Sequence, residues 1–399
     1  MPDVIIVGGG IAGSALAIQL GRRGVSVELL ERGRFPKEKA CGEGLMPAGV
    51  AALGRLGLAS QVHGAPFHGI RYHFGGEIAE GRFPKMAGLP AAGRGQRRRD
   101  LDRALFDEAL QTPNVSAYTG VHVERPLVEN RHVTGVIVAG GARRAGLVVA
   151  ADGSNSRLRH ALGLDVPTRR KRIGVRAHFR LAGSAPQQEW VDVFLGDGHE
   201  LYVTPLPNRE LLVAALAEAG AMRSPIEKTF HRWWQAQPKL AARLEGAEQV
   251  SDLLAYAPLS GRARRSWLPG LLLLGDAAGS TDPITGGGMT QGLLAAELLA
   301  QYASRPREDS AWLSEFDRER NAMLRDYRRL TAMMLWLALR PRLMRNVFRA
   351  LRFSPAFFSH LLGVSGGVRR LWGGEQRYRS NTTPARPSAW TGPVEQQGD

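Results

Sequence analysis

The strand–turn–helix at the start of the chain limits its fold more than any other feature. "DVIIVGGGIAGSALAIQLGRRG" sets an apolar strand over 3–7, a glycine turn, and a helix over 12–23. Gly8, Gly10 and Gly13 form the G-x-G-x-x-G pattern. The first glycine permits a tight turn and the second lets the backbone approach a pyrophosphate. The third lets the helix pack close, with its N-terminus toward the phosphates. A second strand, Val25–Glu31, ends in an acid 18 residues beyond Gly13, where a carboxylate accepts from ribose hydroxyls. Glu31, with Arg32 beside it, is therefore assigned to a dinucleotide site. The acid opposes a 2′-phosphate there, because like charges would meet. The pattern alone does not separate NAD from FAD.

The remaining chain alternates between this nucleotide core and a second sheet. Phe67, Tyr72 and Phe74 predict a strand leaving the core within 66–90. "LDRALFDEAL" (101–110) predicts a helix, residues 115–140 a small antiparallel meander, and "GLVVAADG" (146–153) a strand entering a glycine turn. "RIGVRAHFRL" alternates Val175, Ala177, Phe179 and Leu181 with polar neighbours, the pattern of a strand with one wet face. "VDVFLGDGHELYVTPLPNRELLVAAL" predicts three strands joined by "GDG" and "PNRE" turns. The chain returns to the core at "LLLLGDAAG", and helices dominate after residue 286. The expected fold class is α/β. A Rossmann-like nucleotide domain (1–65, 91–170, 261–305) carries an inserted mixed or antiparallel substrate sheet (66–90, 171–260). A basic helical region (306–372) follows, then a tail over 373–399 rich in Pro, Thr, Gly and charge and expected to be disordered.

Three separated motifs then carry a resemblance. "GDAAGSTDPITGGG" (275–288) places Gly275, Asp276, Pro283, Gly286 and Gly288 at fixed spacing; "DGSNSRLR" places Asp152, Gly153, Ser156 and Arg159; "RRDLD" opens with Arg98. Together they resemble the FAD-dependent monooxygenases of the p-hydroxybenzoate hydroxylase fold, in the superfamily that includes geranylgeranyl reductases and flavin halogenases. The resemblance covers about residues 3–300. It implies bound FAD, with Asp276 on a ribityl hydroxyl, Asp152 and Gly153 near the pyrophosphate, and Arg98 near the flavin. Gly286, Gly287, Gly288 and Met289 open the next helix, where backbone amides can face the flavin pyrimidine edge and stabilise charge on reduction. No second G-x-G-x-x-G follows a strand, so NAD(P)H is expected as a transient co-substrate.

The resemblance favours a monooxygenase that uses NAD(P)H and O2 to hydroxylate an aromatic or polyketide-like hydrophobic substrate through a flavin C4a-hydroperoxide. "GGGMTQG" resembles the hydroxylase form, with Met289 and Gly292 matching and Thr290 replacing the usual Asn. The alternative is a geranylgeranyl-reductase-like enzyme that reduces a carbon–carbon double bond. "KEKACGEG" resembles that branch at Lys39, Cys41 and Gly42, while Glu43 stands where those enzymes continue with glycine. Cys41, the only cysteine, is open to three roles: an inert buried thiol, a neighbour of the flavin, or a proton-carrying thiol. Flavin halogenases fit least, because Trp190 has no tryptophan two residues away. The expected reacting centre comprises Cys41, Tyr202, Pro283, Gly286 and Gly287. His68, Arg71, Tyr72 and His73 are further candidates for the pocket wall. No metal-ligand spacing and no serine-nucleophile motif is present.

Composition sets the outer limits. One cysteine excludes an intrachain disulfide, no signal pattern opens the chain, and no run of 18 apolar residues occurs, so a cytoplasmic protein is expected. The formal net charge is +16, without any nucleic-acid-binding motif, so no nucleic-acid partner is expected. From Tyr327 through Gly374 there are nine arginines and no acid, interleaved with "AMMLWLALRPRLMRNVFRALRF" and "FFSHLLG". Pro341 should break the helix there, with Arg345, Arg349 and Arg352 following at helical spacing. Amphipathic helices with solvated arginines account for this end. So does contact with an anionic partner, either a membrane surface or an acidic carrier protein bearing the substrate.

Overall fold

A computed structural model describes residues 1–61, 63–168, 171–183, 189–222, 225–305 and 310–375. Most of the expected disordered tail (373–399) therefore lies outside the described residues.

The nucleotide core is a six-stranded sheet in the order Trp267–Leu268, Leu271–Leu273, Leu147–Ala150, Val4–Val7, Val27–Glu31, Val115–Thr119. All neighbours are parallel except the first pair. Every residue of Val4–Val7, Leu147–Ala150 and Leu271–Leu273 is buried, as expected for short apolar runs covered on both faces. Helices Ile11–Gly21, Arg98–Gln111 and Gly288–Ala300 contribute to the core on one face. Val123, Val133, Val136, Val138 and Leu158 cover the other. Val115–Thr119 thus belongs to the main sheet, and the meander is only Val123–Glu129, His132–Val138 and Gly141–Arg144. Alternation marks a strand but not its partner, which here lies far away in sequence.

The second sheet is mixed. Its principal order is Arg172–Arg180, Glu210–Glu218, His199–Pro205, Trp190–Leu195, Gly69–Phe74, Glu77–Arg82. Trp190–Leu195 and Gly69–Phe74 run parallel and the other pairs antiparallel. The expected three strands and their two turns are present, with Asn208 and Arg209 both left-handed (φ 58° each) in the second turn. One face packs Val175, Ala177, Leu201 and Val213 against Phe230, Trp233 and Leu240, which the short helices Ile226–Gln235 and Pro238–Arg243 supply. The Arg172–Arg180 strand has no wet face, because Arg172, Arg176 and His178 on its polar side are also buried. That polar side belongs to the site.

Among the described residues, three helices come last: Ala311–Ala338, Pro341–Phe353 and Pro355–Ser365. The break falls before Pro341 as expected, and Pro355 makes a second. Trp312, Leu313 and Phe316 of the first helix pack into the nucleotide core, while Phe348, Leu351 and Phe358 of the other two lie on the second sheet, where Phe358 stacks on Tyr72 (5.4 Å) and Phe348 meets Phe74 (5.7 Å).

Candidate active site

The nucleotide cradle follows from steric limits. Gly8 has φ +108°, and a side chain at Gly13 would begin 1.9 Å from the Gly8 carbonyl oxygen. Gly10 differs: nothing lies within 4 Å of where its Cβ would stand, so the backbone is bare beside the start of helix Ile11–Gly21. Glu31 accepts from the Gly9 and Gly33 amides (2.8 and 2.7 Å) and pairs with Lys37 Nζ at 2.7 Å. Burial works against its charge, but Lys37 and the two amides outweigh it and hold the carboxyl below its ordinary value. Lys37 was not expected from the sequence; only its spacing after the acid could have marked it. Arg32 is exposed beside Glu31.

Two distant loops meet through Arg159. Its guanidinium donates to Ser154 O (2.5 Å) and Ala277 O (3.0 Å) and pairs with Asp165 (2.5 Å). The motif arginine therefore joins the Asp152–Gly153 loop to the Gly275–Ala278 turn. Asp152 Oδ2 accepts from Arg157 N (2.9 Å), while buried Oδ1 has no partner among the described residues. Burial raises the Asp152 pKa. Nothing stands within 4 Å of a Cβ at Gly153 or Gly288, and Gly275 (φ +59°) approaches Ala12. Asp276 is half exposed, with Lys39 Nζ 3.8 Å away. A cavity of about 300 Å³ beside this link is lined by Ser154, Asn155, Arg159, Arg262 and Ser280.

Arg98 begins its helix three residues before the expected start, which puts Asp102 one turn away. Two hydrogen bonds of 3.0 and 2.8 Å join them. Burial opposes the Arg98 charge, but Asp102 and the neighbouring Cys41 outweigh it and keep the residue a cation. Cys41 is half-buried, and its sulfur accepts from Glu43 N at 3.4 Å. It is therefore not fully buried. Gly42 is exposed, with its carbonyl held by Thr204 Oγ1 (2.8 Å). Glu43 is completely buried in a left-handed conformation (φ 55°). Glycine adopts that geometry without strain, but here the carboxylate accepts from Arg98 N (2.9 Å) and meets His178 Nε2 (2.7 Å). Sequence reasoning missed His178, a buried polar residue that strand alternation made look solvent-facing.

The loop from Pro283 is fixed from two sides. Asp282 Oδ1 accepts from Ile284 N (3.1 Å) and from Arg172 (2.7 Å), and Arg172 also pairs with Glu200 (2.8 Å). Tyr202 donates to Ile284 O (3.0 Å), so its hydroxyl ties the sheet to the loop. From the helical side, Ser365 donates to Thr285 O (2.5 Å) and Thr285 meets Thr331 (2.8 Å). A Cβ on Gly287 would lie 2.6 Å from Tyr327 and 2.7 Å from Ser365 O, so this glycine admits the C-terminal helices. Gly286 is left-handed (φ 70°) and Met289 is buried. Tyr72, Val193, Tyr202, Ala214 and Arg176 share one register row on the sheet face toward this loop. Burial, with Glu200 nearby, raises the pKa of both tyrosines, so the phenols keep their protons. Burial also raises Glu200 despite the opposing Arg172.

Arg71 and His73 do not join this wall. They alternate to the opposite face, where Arg71 (2.8 Å), His73 (2.7 Å) and Arg243 (2.7 Å) enclose buried Asp192. His68 lies between two strands rather than in the Tyr72 row. Among the described residues no group of side chains could hold a metal.

A bare glycine turn at Gly10, an orphaned buried carboxylate oxygen at Asp152 and the unobstructed Gly153 and Gly288 fit a dinucleotide, which these residues would hold. Fold and site together define a flavoprotein oxidoreductase with the p-hydroxybenzoate hydroxylase fold. The chain belongs to the FAD binding domain family, whose model matches residues 1–327. Menaquinone reductase of Mycolicibacterium smegmatis is 30% identical over 314 residues, covering 74% of this chain and 76% of that protein. Digeranylgeranylglycerophospholipid reductase of Methanothrix thermoacetophila is 28% identical, covering 76% and 78%. 6-Methylpretetramide 4-monooxygenase of Streptomyces rimosus is 31% identical, covering 71% and 70%. A solved flavoprotein/dehydrogenase from Cytophaga hutchinsonii superposes with TM-score 0.80 over 92% of both chains at 20% identity. The flavin-dependent brominase Bmp2 reaches 0.72 over 90% of this chain and 97% of its own, at 21% identity. These structural matches concern the fold. The protein is a FAD-binding oxidoreductase.

Proposed function

We propose that this enzyme is a monooxygenase that uses NAD(P)H and O2 to hydroxylate an aromatic or polyketide-like hydrophobic molecule. One oxygen atom enters the product and the other leaves as water, with NAD(P)H giving the two electrons. Bound FAD would take the hydride and pass electrons to oxygen. The supporting observation is the closed sheet face: Tyr72 and Tyr202 line it, Phe358 roofs it, and Arg172–Asp282 and Tyr202–Ile284 fasten it to the flavin loop. Such a wall excludes water, whose proton exchange would divert the oxygen chemistry to peroxide. Tyr72 keeps its proton and offers a donor to a substrate hydroxyl, whereas the Tyr202 proton is already given to Ile284 O, and Arg98 supplies fixed positive charge behind Cys41. The likeness to 6-methylpretetramide 4-monooxygenase agrees with this chemistry.

A second reading, reduction of a carbon–carbon double bond, is favoured by the half-buried Cys41 beside Arg98 and by the likeness to two reductases. ¹⁸O2 labelling separates the two. With an alkylphenol probe and NADH or NADPH, hydroxylation puts one ¹⁸O into the product. Anaerobic turnover of an isoprenoid alkene, with no oxygen requirement, would overturn it in favour of the reductase.

A further inference from the structure

The outer surface of the C-terminal helices combines two features that a purely solvated surface does not need. Exposed large apolar side chains concentrate there and in the segment just after: Met333, Trp336, Leu339, Phe353, Phe357 and Trp372, with Phe353 and Trp372 about four-fifths exposed (79% and 83%). Between them, helix Pro341–Phe353 carries Arg342, Arg345 and Arg349 on an exposed stripe at i, i+3 and i+7. Among the described residues no carboxylate lies within 4 Å of these three or of Arg340, whereas Arg352 pairs with Glu77. Arg345 and Arg349 are one helical turn apart, a like-charge spacing that weakens a helix unless an anion neutralises it. Arg340 stacks on exposed Trp336 at 4.0 Å, keeping a ring and a cation together at the surface. The inward side of the same helix is already occupied, because Phe348 and Leu351 are buried against the sheet.

We infer that this surface docks on an anionic lipid bilayer, with the arginines at the headgroups and the exposed aromatic and aliphatic side chains in the interfacial zone. Aromatic residues belong at that depth, and arginines beside them add attraction to anionic lipid. No helix among the described residues is long and apolar enough to cross a membrane, so the contact is peripheral. An acidic protein would satisfy the arginines but leave the scattered exposed apolar side chains without a matching environment. The inference rests on the surface alone and holds for either reaction.

Co-sedimentation of FAD-loaded full-length protein with phosphatidylcholine vesicles, with and without phosphatidylglycerol, tests it. Phosphatidylglycerol vesicles should carry the protein down and pure phosphatidylcholine should not, with binding falling as salt rises. Arg345→Glu/Arg349→Glu should lower the partition about tenfold or more, while Trp336→Ser/Phe353→Ser should lower it at constant charge; each should retain FAD. If charge reversal disturbs FAD loading, Arg345→Gln/Arg349→Gln replaces it. Equal partition of wild type and the arginine variants overturns the inference. So does wild type that ignores phosphatidylglycerol vesicles, including a form that instead binds an acidic apo-acyl carrier protein.

Discussion

His178 Nε2 lies 2.7 Å from Glu43 Oε2, and both side chains are fully buried. The pair joins the Cys41 loop to the second sheet at the position where Glu43 tolerates a left-handed backbone. Removing one partner leaves the other buried and unsatisfied, so Glu43→Ala should cost about 3 kcal/mol in denaturant unfolding. Glu43→Gly relieves the backbone and should be about 1 kcal/mol less harmful than the alanine variant. Equal stability of the two variants would show that the conformation costs nothing.

Gly10 and Gly13 should separate when substituted. A methyl on Gly13 meets the Gly8 carbonyl oxygen at 1.9 Å, so Gly13→Ala should lower apoprotein stability as well as FAD content. Gly10→Ala enters open space and should leave apoprotein melting unchanged while weakening FAD binding. Flavin titration with melting of the apoprotein reads both effects.

Arg159→Lys keeps the charge but cannot hold two carbonyls and Asp165 together from one planar fork. Loss of one or two such bonds, about 1 kcal/mol each, should weaken FAD binding roughly tenfold. Unchanged affinity would mean that the Asp152 loop and the Gly275 turn meet without this link.

Asp192 gives a pH signature. Burial opposes its charge, but His73, Arg71 and Arg243 outweigh it and hold the carboxyl well below its ordinary value. Its contribution is therefore complete above the unfolded pKa of about 3.9 and is lost as pH falls from there toward the depressed folded value. Asp192→Asn should be about 3 kcal/mol less stable than wild type at neutral pH, with the gap shrinking below about pH 4. Asp152 and Glu200, whose pKa values are raised, act in the opposite direction and cancel in this comparison. A gap constant with pH would remove Asp192 as its source.

Much of this was legible in the sequence because local chemistry dictates it. The glycine turn, Glu31 and the three strands from Trp190 to Glu218 each rest on short-range rules, whereas the Asp152 and Asp276 motifs are legible only through the family resemblance. Long-range pairing was not legible, which is why Val115–Thr119 was assigned to the meander. Strand parity puts Tyr72 on the same face as Tyr202, across Val193, but sends Arg71 and His73 to Asp192, a difference that a cluster of candidate side chains in sequence does not reveal. Gly287 carries no local sign that its role is to admit Tyr327 and Ser365. Lys37 and His178 belong to networks whose other members lie in separate segments or require the folded turn.

The most direct test of the proposed chemistry is single-turnover reoxidation. Protein reduced anaerobically with NADH or NADPH is mixed with an alkylphenol and ¹⁸O2, and the product is weighed by mass spectrometry. One ¹⁸O atom per hydroxylated product is expected, with no conversion without oxygen. Flavin that instead reoxidises under argon as an added isoprenoid quinone loses a double bond would contradict the proposed chemistry.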